Sequence, residues 1–482
     1  MLFPALSDRT DKLALRFGET RLDYAQLRDA AAHVADQVSG AERVGVWAVP
    51  APETCVAVLG GLLAGVAVVP INPKAGEREL GHILADSDPA TILCPPGVEV
   101  PAAVAGRPRV DVDLAGRGGE LAPEPPEDAP GIVIYTSGTT GPPKGAVLPR
   151  RAIASNLDAL ADAWEWTEAD VVAHALPLFH VHGLILGILG PIRRGGGADH
   201  LGRFSSAAVA AALEGDATML FAVPTMYHRL ASDAEADPGI AEALGKARLL
   251  VSGSAALPAA EHARLERLTG QRIVERYGMT ETLMNTAVRA AGDRRPGYVG
   301  PPLGGIEIRL LDDDGNVIEE ADDETVGEIA VRGPNLFLEY LNRQDATAEA
   351  MRDGWFLTGD LATRAPDGYV RIVGRRATDL IKSGGFKIGA GEIEGALLEH
   401  PEVQEAAVTG EPDPDLGERI VAWIVPRPGC SPSAEELTNH VAGLLTPHKR
   451  PRVVHFLTEL PRNEMGKVQK RRLEVAARTP PP

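Results

Sequence analysis

Apolar residues in the first part of the chain fall into two kinds of run. Short β-branched blocks at 43–49, 67–70 and 90–94 read as strands, and between them 53–64 and 80–87 carry apolar positions at helical spacing. That alternation predicts βαβ units and a largely parallel sheet. The stretch 115–130, rich in Pro, Gly and Glu, reads as a surface linker. Beyond it the alternation resumes, with helices at 152–163 and 225–232 and strands at 171–175, 219–223, 248–251 and 272–275. Polar and glycine residues gather just after these strands, at 177–183, 252–256 and 277–282, where open α/β sheets hold their ligands. From 306 onward the texture changes to short strands at 306–311, 327–332 and 369–373, separated by turn strings such as D-D-D-G-N at 312–316, which predicts a β-rich subdomain. A last unit begins near Asp379: a glycine-rich hairpin at 382–391, a helix at 392–400, strands at 403–409 and 420–425, a helix from Ala434 and a basic tail. The fold expected is α/β, with a large domain over 1–376 and a small, mobile α+β domain over 377–482.

Composition adds limits. A chain of 482 residues is too long for one core. Its net charge of −19 argues against nucleic acid or an anionic membrane as partner, and requires local positive groups to receive anionic substrates. The three cysteines, Cys55, Cys94 and Cys430, form no C-x-x-C pair, which argues against a disulfide framework or a zinc site and fits a cytoplasmic protein. Residues 1–20 lack the apolar core of a signal peptide. The uncharged stretch 55–69 is too short and glycine-rich for a membrane span and reads as a buried helix.

The chemistry is densest at 131–147, G-I-V-I-Y-T-S-G-T-T-G-P-P-K-G-A-V. A strand empties into Thr136, Ser137, Gly138, Thr139, Thr140 and Gly141, with Lys144 just beyond. Glycines bring backbone N–H groups close to an anion, hydroxyls add donors, and the lysine adds charge; such a loop is built for polyphosphate. It is not the usual P-loop, because Gly145 stands where Ser or Thr must follow the lysine.

This string resembles the phosphate-binding signature of the adenylate-forming superfamily, which includes acyl- and aryl-CoA synthetases, luciferases and peptide-synthetase adenylation domains. E-R-Y-G-M-T-E at 275–281, W-F-L-T-G-D at 355–360, G-R-R-A-T-D at 374–379 and P-R-N-E-M-G-K at 461–467 resemble its further motifs, in the family's order. The resemblance implies ATP, Mg²⁺ and coenzyme A as cofactor and co-substrates. By it, Tyr277 stacks on adenine, Thr280 bonds the α-phosphate, Glu281 helps hold Mg²⁺ and Asp360 accepts the ribose hydroxyls. Ser254, Ala255, Glu275 and Gly278 complete the implied ATP site. A residue inserted before Asp379 leaves open whether Arg375 or Arg376 reaches ribose, and whether Ala377 or Thr378 is the pivot; Arg375 is favoured. Lys382, Gly384 and Gly385 are implied on the CoA tunnel, His180 at the family's gating position, and Lys467 on the acyl carboxylate and α-phosphate. The implied reaction makes an acyl-AMP with release of pyrophosphate; a thiol then displaces AMP.

For the acid, the expected pocket uses His182, Ser252 and Met279, with Arg229 and His182 pairing a second carboxylate. P-L-F-H-V-H-G-L at 177–184, V-P-T-M-Y-H-R-L at 223–230 and E-R-Y-G-M-T-E-T-L-M-N-T at 275–286 resemble the malonyl-CoA synthetase branch, which implies malonate or methylmalonate. A short- or medium-chain monocarboxylate or aryl acid–CoA ligase shares the same ATP machinery, as does a stand-alone adenylation enzyme loading a carrier protein. The oligomeric state stays open.

Overall fold

The structure is a computed structural model that describes residues 1–121, 123–136, 142–376, 379–384, 386–462, 468–470 and 472–473. Two mixed sheets form its larger part. In the first, six parallel strands run in the order Val274–Met279, Leu249–Ser252, Met219–Ala222, Val171–His174, Gly197–His200 and Leu13–Phe17. Antiparallel strands Leu283–Ala287 and Thr20–Asp23 close its two edges. In the second, five parallel strands end on the antiparallel pair Pro130–Thr136 and Lys144–Pro149. The helices between parallel strands bury their apolar faces. In Pro52–Leu63 every position from Thr54 to Leu62 is buried, as a helix covered on both sides requires. Among the described residues no helix is long and apolar enough to cross a membrane.

An antiparallel sheet follows, with Gly327–Arg332 between Glu307–Leu311 and Trp355–Arg364, and Val370–Arg375 on the far side of Trp355–Arg364. This is the expected β-rich subdomain. A smaller sheet is built from Phe386–Gly389, Leu380–Ser383, Gly417–Pro426, Val403–Asp413 and Val453–Phe456. Its two apolar clusters draw only on residues from 381 onward, so the small C-terminal domain has a core of its own.

Two elements depart from the sequence reading. The strand expected at 272–275 runs over Val274–Met279, because Tyr277 to Met279 pair antiparallel with Leu283, Met284 and Thr286 across a bulge. The segment after His180 is a π-helix, Val181–Leu189, a form concentrated at functional sites. Gly183 and Gly187 are required there, since an added Cβ would lie 2.2 Å from the Pro177 carbonyl oxygen and 2.6 Å from His174 Nε2.

Candidate active site

Three groups of polar side chains meet where the strand ends of the large domain face the β-rich sheet. The first lies at the Thr136–Lys144 end of the strand pair Pro130–Thr136 and Lys144–Pro149. Lys144 opens its strand and sits 4.1 Å from the centre of the Tyr340 ring, and the Tyr340 hydroxyl donates to Glu281 Oε1 at 2.7 Å. Burial and the adjacent Glu281 carboxylate raise the Tyr340 phenol well above its ordinary range, so it stays a donor. Thr136 ends the preceding strand, while Ser137, Gly138, Thr139, Thr140 and Gly141 lie outside the described residues. Thr280 is half-buried next to Glu281.

The second group is held by strand register. Asp360 and Arg375 face each other across antiparallel strands, and Arg375 Nε donates to Asp360 Oδ1 at 2.8 Å. The Tyr277 hydroxyl donates to Asp360 Oδ2 at 2.7 Å. Arg376, one residue on, turns away to Glu328 at 2.6 Å and Asp313 at 3.2 Å. The inserted residue therefore leaves Arg375 on the Asp360 side. The pivot candidates Ala377 and Thr378 lie outside the described residues.

The third group is buried and incompletely bonded. His182 is 5% exposed, and among the described residues neither ring nitrogen has a hydrogen-bond partner; buried Ser252 Oγ has none there either. Arg276, also 5% exposed, has no partner for Nε or Nη2 among the described residues. Its guanidinium lies over Gly253, where a Cβ would come 2.3 Å from Cζ. Burial pulls Arg276 down to about 10, and pulls His182 far below the usual imidazole value, with the Arg276 charge adding to the effect. A buried cation without partners is costly, and a site that carries one awaits an anion. Met279 is half-buried at the end of the Arg276 strand.

Several expected residues fall elsewhere. Arg229 is exposed on the helix Pro224–Ala236, its guanidinium 5.9 Å from the Phe204 ring centre, and does not enter the group around His182. The stripe that this helix buries is Tyr227, Leu230, Ala231 and Ala234, and position 229 is off it. Arg276 was not singled out from the sequence, although it stands in the second motif. Glu275 does not join the Tyr277–Asp360 pair. Its carboxylate accepts from His262 Nε2 at 2.8 Å, Leu257 N at 3.2 Å and Gly297 N at 3.3 Å. Gly278 lies within the strand, and Ser254 and Ala255 form an exposed turn with Ser254 at φ +73°. Lys382 is exposed on the hairpin of the small domain, and Gly384, at φ +58°, donates its N–H to Leu416 O at 2.9 Å. Gly385 and Lys467 lie outside the described residues.

His180 caps the π-helix, and burial lowers it from 6.5 to about 4. Such a histidine binds protons more readily when unfolded. Its contribution to stability is therefore present above about pH 6.5 and is lost as pH falls toward 4. His182 acts in the same direction. Melting temperature should fall steadily over that window, and His182→Gln should flatten the fall. An unchanged slope in the variant would show that other groups carry it.

Comparison with known proteins identifies the family. Residues 4–341 match the family model for AMP-binding enzymes, and 392–467 match that for the AMP-binding enzyme C-terminal domain. A malonyl-CoA ligase solved as a ternary product complex with methylmalonyl-CoA and AMP is 62% identical, with a TM-score of 0.76 over 95% of this chain and 100% of that one. ATP-bound MatB from Rhodopseudomonas palustris is 34% identical, with a TM-score of 0.90 over 98% of each chain. A malonate–CoA ligase of Arabidopsis thaliana is 34% identical over 98% of this chain and 87% of its own length. Matched over both its large and its small domain, the chain belongs to the AMP-binding enzyme family.

Proposed function

We propose that this protein is a malonate–CoA ligase that also accepts methylmalonate. The observation that carries the reading is Arg276, a buried guanidinium with two unpartnered donors beside His182 and Ser252. A monocarboxylic acid would leave that charge unanswered; a diacid brings a second carboxylate that guanidinium binds well. His182 and Ser252 complete the receiving group, in place of the expected Arg229. The malonyl-CoA ligase relatives support the same acid. Pyrophosphate release measured over a panel of mono- and dicarboxylates tests the reading. Malonate should lead with methylmalonate next, and a higher kcat/KM for propionate or an aryl acid would overturn it.

The protein is an AMP-forming acid–CoA ligase that works through an acyl-AMP. One malonate carboxylate attacks the α-phosphate of ATP and pyrophosphate leaves; the CoA thiol then attacks the acyl carbon and AMP leaves. Neither step needs a protein nucleophile. The chain positions the reactants and neutralises charge. In our reading Arg276 fixes the non-reacting carboxylate, and Tyr277, Asp360 and Arg375 hold the nucleoside. Residues 136–141 with Lys144 and Thr280 hold the phosphates. Lys467 serves adenylation, and Lys382 with Gly384 and Gly385 serves CoA. The domain boundary is taken at 376, after the last strand of the β-rich sheet.

The residues present suit Mg²⁺. Tyr340 occupies one oxygen of Glu281, the other has no hydrogen-bond partner among the described residues, and Mg²⁺ takes one or two carboxylates with phosphate and water completing its shell. Bound there, it would supply positive charge along the ATP phosphates. The buried free thiols Cys55 and Cys94 fit a cytoplasmic setting.

Asp360→Ala removes the acceptor that Tyr277 and Arg375 share. If the same carboxylate binds ribose, KM for ATP should rise roughly tenfold or more, since a hydrogen bond to a charged group contributes about 1.5–3 kcal/mol. An unchanged KM with normal turnover would take Asp360 out of the site.

A further inference from the structure

Three residues beyond Lys467, Lys470 places its Nζ 2.6 Å from Asp379 Oδ1 and 2.6 Å from Glu394 Oε1. Its side chain is 13% exposed, far less than a solvated tail lysine. Both partners are fixed in turn. Glu394 Oε1 accepts from Val408 N at 2.8 Å, which ties the helix Ala390–Leu398 to the strand Val403–Asp413. Asp379 Oδ2 accepts from Arg375 N at 2.8 Å, Asp379 N donates to Arg375 O at 2.7 Å, and Asp379 O accepts from Ala390 N at 2.8 Å. Arg375 then reaches Asp360 through Nε. The other side of Lys470 is anchored too. Val468, directly after Lys467, bridges to Arg462, and Gln469 N donates to Pro461 O at 2.7 Å. An unbroken series of contacts thus runs from Asp360 through Arg375 and Asp379 to Lys470.

We propose that Lys470 is a positioning residue for adenylation. Its ammonium fastens the C-terminal segment to the aspartate where the chain enters the small domain. The approach of Lys467 is thereby set relative to the Arg375–Asp360 pair. The inference rests on the reading above in which Lys467 serves the first step. Without the ammonium, the segment loses both ion pairs that hold it to Asp379 and Glu394 and loosens at its base. A displacement of about 1 Å at a reacting group can cost about a hundredfold in rate. Substrate binding is untouched, because Lys470 contacts neither Asp360 nor Arg276. The second step should lose less, because CoA acylation does not draw on Lys467.

The test uses the full-length protein and measures the two half-reactions separately. Adenylation is read as pyrophosphate exchange with malonate and ATP, and acylation of CoA is read from prepared acyl-AMP. Lys470→Met should lower kcat for exchange about a hundredfold with KM for ATP within about threefold, and Lys470→Arg should recover most of it. If Lys470→Met proves insoluble, Lys470→Met combined with Glu394→Gln neutralises the carboxylate that the ammonium faced, and should fold while still failing in exchange. Exchange that stays within about threefold of the parent overturns the proposal, as does a parallel loss in both half-reactions. Lys467→Ala, run alongside, separates the two ideas. If it retains exchange, the reading of Lys467 fails and this proposal with it; if it loses exchange while Lys470→Met does not, this proposal alone fails.

Discussion

Arg276→Leu should lower kcat/KM for malonate by at least about a hundredfold while that for propionate holds or rises. In the parent protein the distal carboxylate of the diacid would be paired with a guanidinium in a site sealed from water. Removing one partner of a buried pair leaves the other desolvated, at a cost of about 3–5 kcal/mol. Each factor of ten in kcat/KM corresponds to about 1.4 kcal/mol of transition-state stabilisation. Propionate has no distal charge, so it loses nothing and gains an apolar wall. Stability should move the other way from activity. With no ligand bound, Arg276 Nε and Nη2 are buried without partners, and leucine removes that cost. The variant should therefore melt no lower than the parent. Arg229→Leu is the control: an exposed side chain whose guanidinium lies 5.9 Å from the Phe204 ring centre should leave both acids unchanged. Parallel loss of both acids in Arg276→Leu would make Arg276 structural, and an unaffected malonate rate would move the diacid partner elsewhere.

In our reading the distal carboxylate goes to Arg276 and not to Arg229, and the two positions differ in how far local sequence reaches. The parallel sheets, the β-rich subdomain and the small domain were legible, because alternation of strand and helix is written in local periodicity. The motifs were legible as strings, and three of their residues, Tyr277, Asp360 and Arg375, come together in the fold. A side chain's partners across the fold are not local. Position 229 could have been placed outward from its helix, since the buried stripe is spaced three and four residues apart and misses it. Arg276 was harder. Ending the strand at 275 put it in a turn, whereas in the longer strand Val274–Met279 it lies on the opposite face from Tyr277. What gathers around Arg276 is Gly253 on the neighbouring strand's exit and His182 on the π-helix, both distant in sequence. Glu275 is a similar case. Its motif suggested a ligand, but His262 and two backbone N–H groups, from separate stretches, occupy its carboxylate.

Lys467→Ala should abolish adenylation and spare the transfer to CoA. The first step brings a carboxylate toward a phosphate, so negative charge must be neutralised where the new bond forms. A positioned cation there acts mainly on the transition state, and removing one such donor typically costs about 10²–10³ in kcat. The chain's other positive groups in this region cannot substitute. Arg375 is committed to Asp360 at 2.8 Å, Lys144 lies over the Tyr340 ring at 4.1 Å, and Arg276 is buried in the proposed acid pocket. The second step attacks an acyl carbon already activated by AMP, with a thiol as nucleophile, and has no comparable need. Supplied with prepared acyl-AMP, the variant should therefore acylate CoA at close to the parent rate. Pyrophosphate exchange in the same preparation should fall by about a hundredfold or more. Equal loss in both half-reactions would mean that the substitution disturbs folding. Retention of exchange would remove Lys467 from the first step and return the question to Lys144, the nearest other lysine to the phosphate loop in sequence.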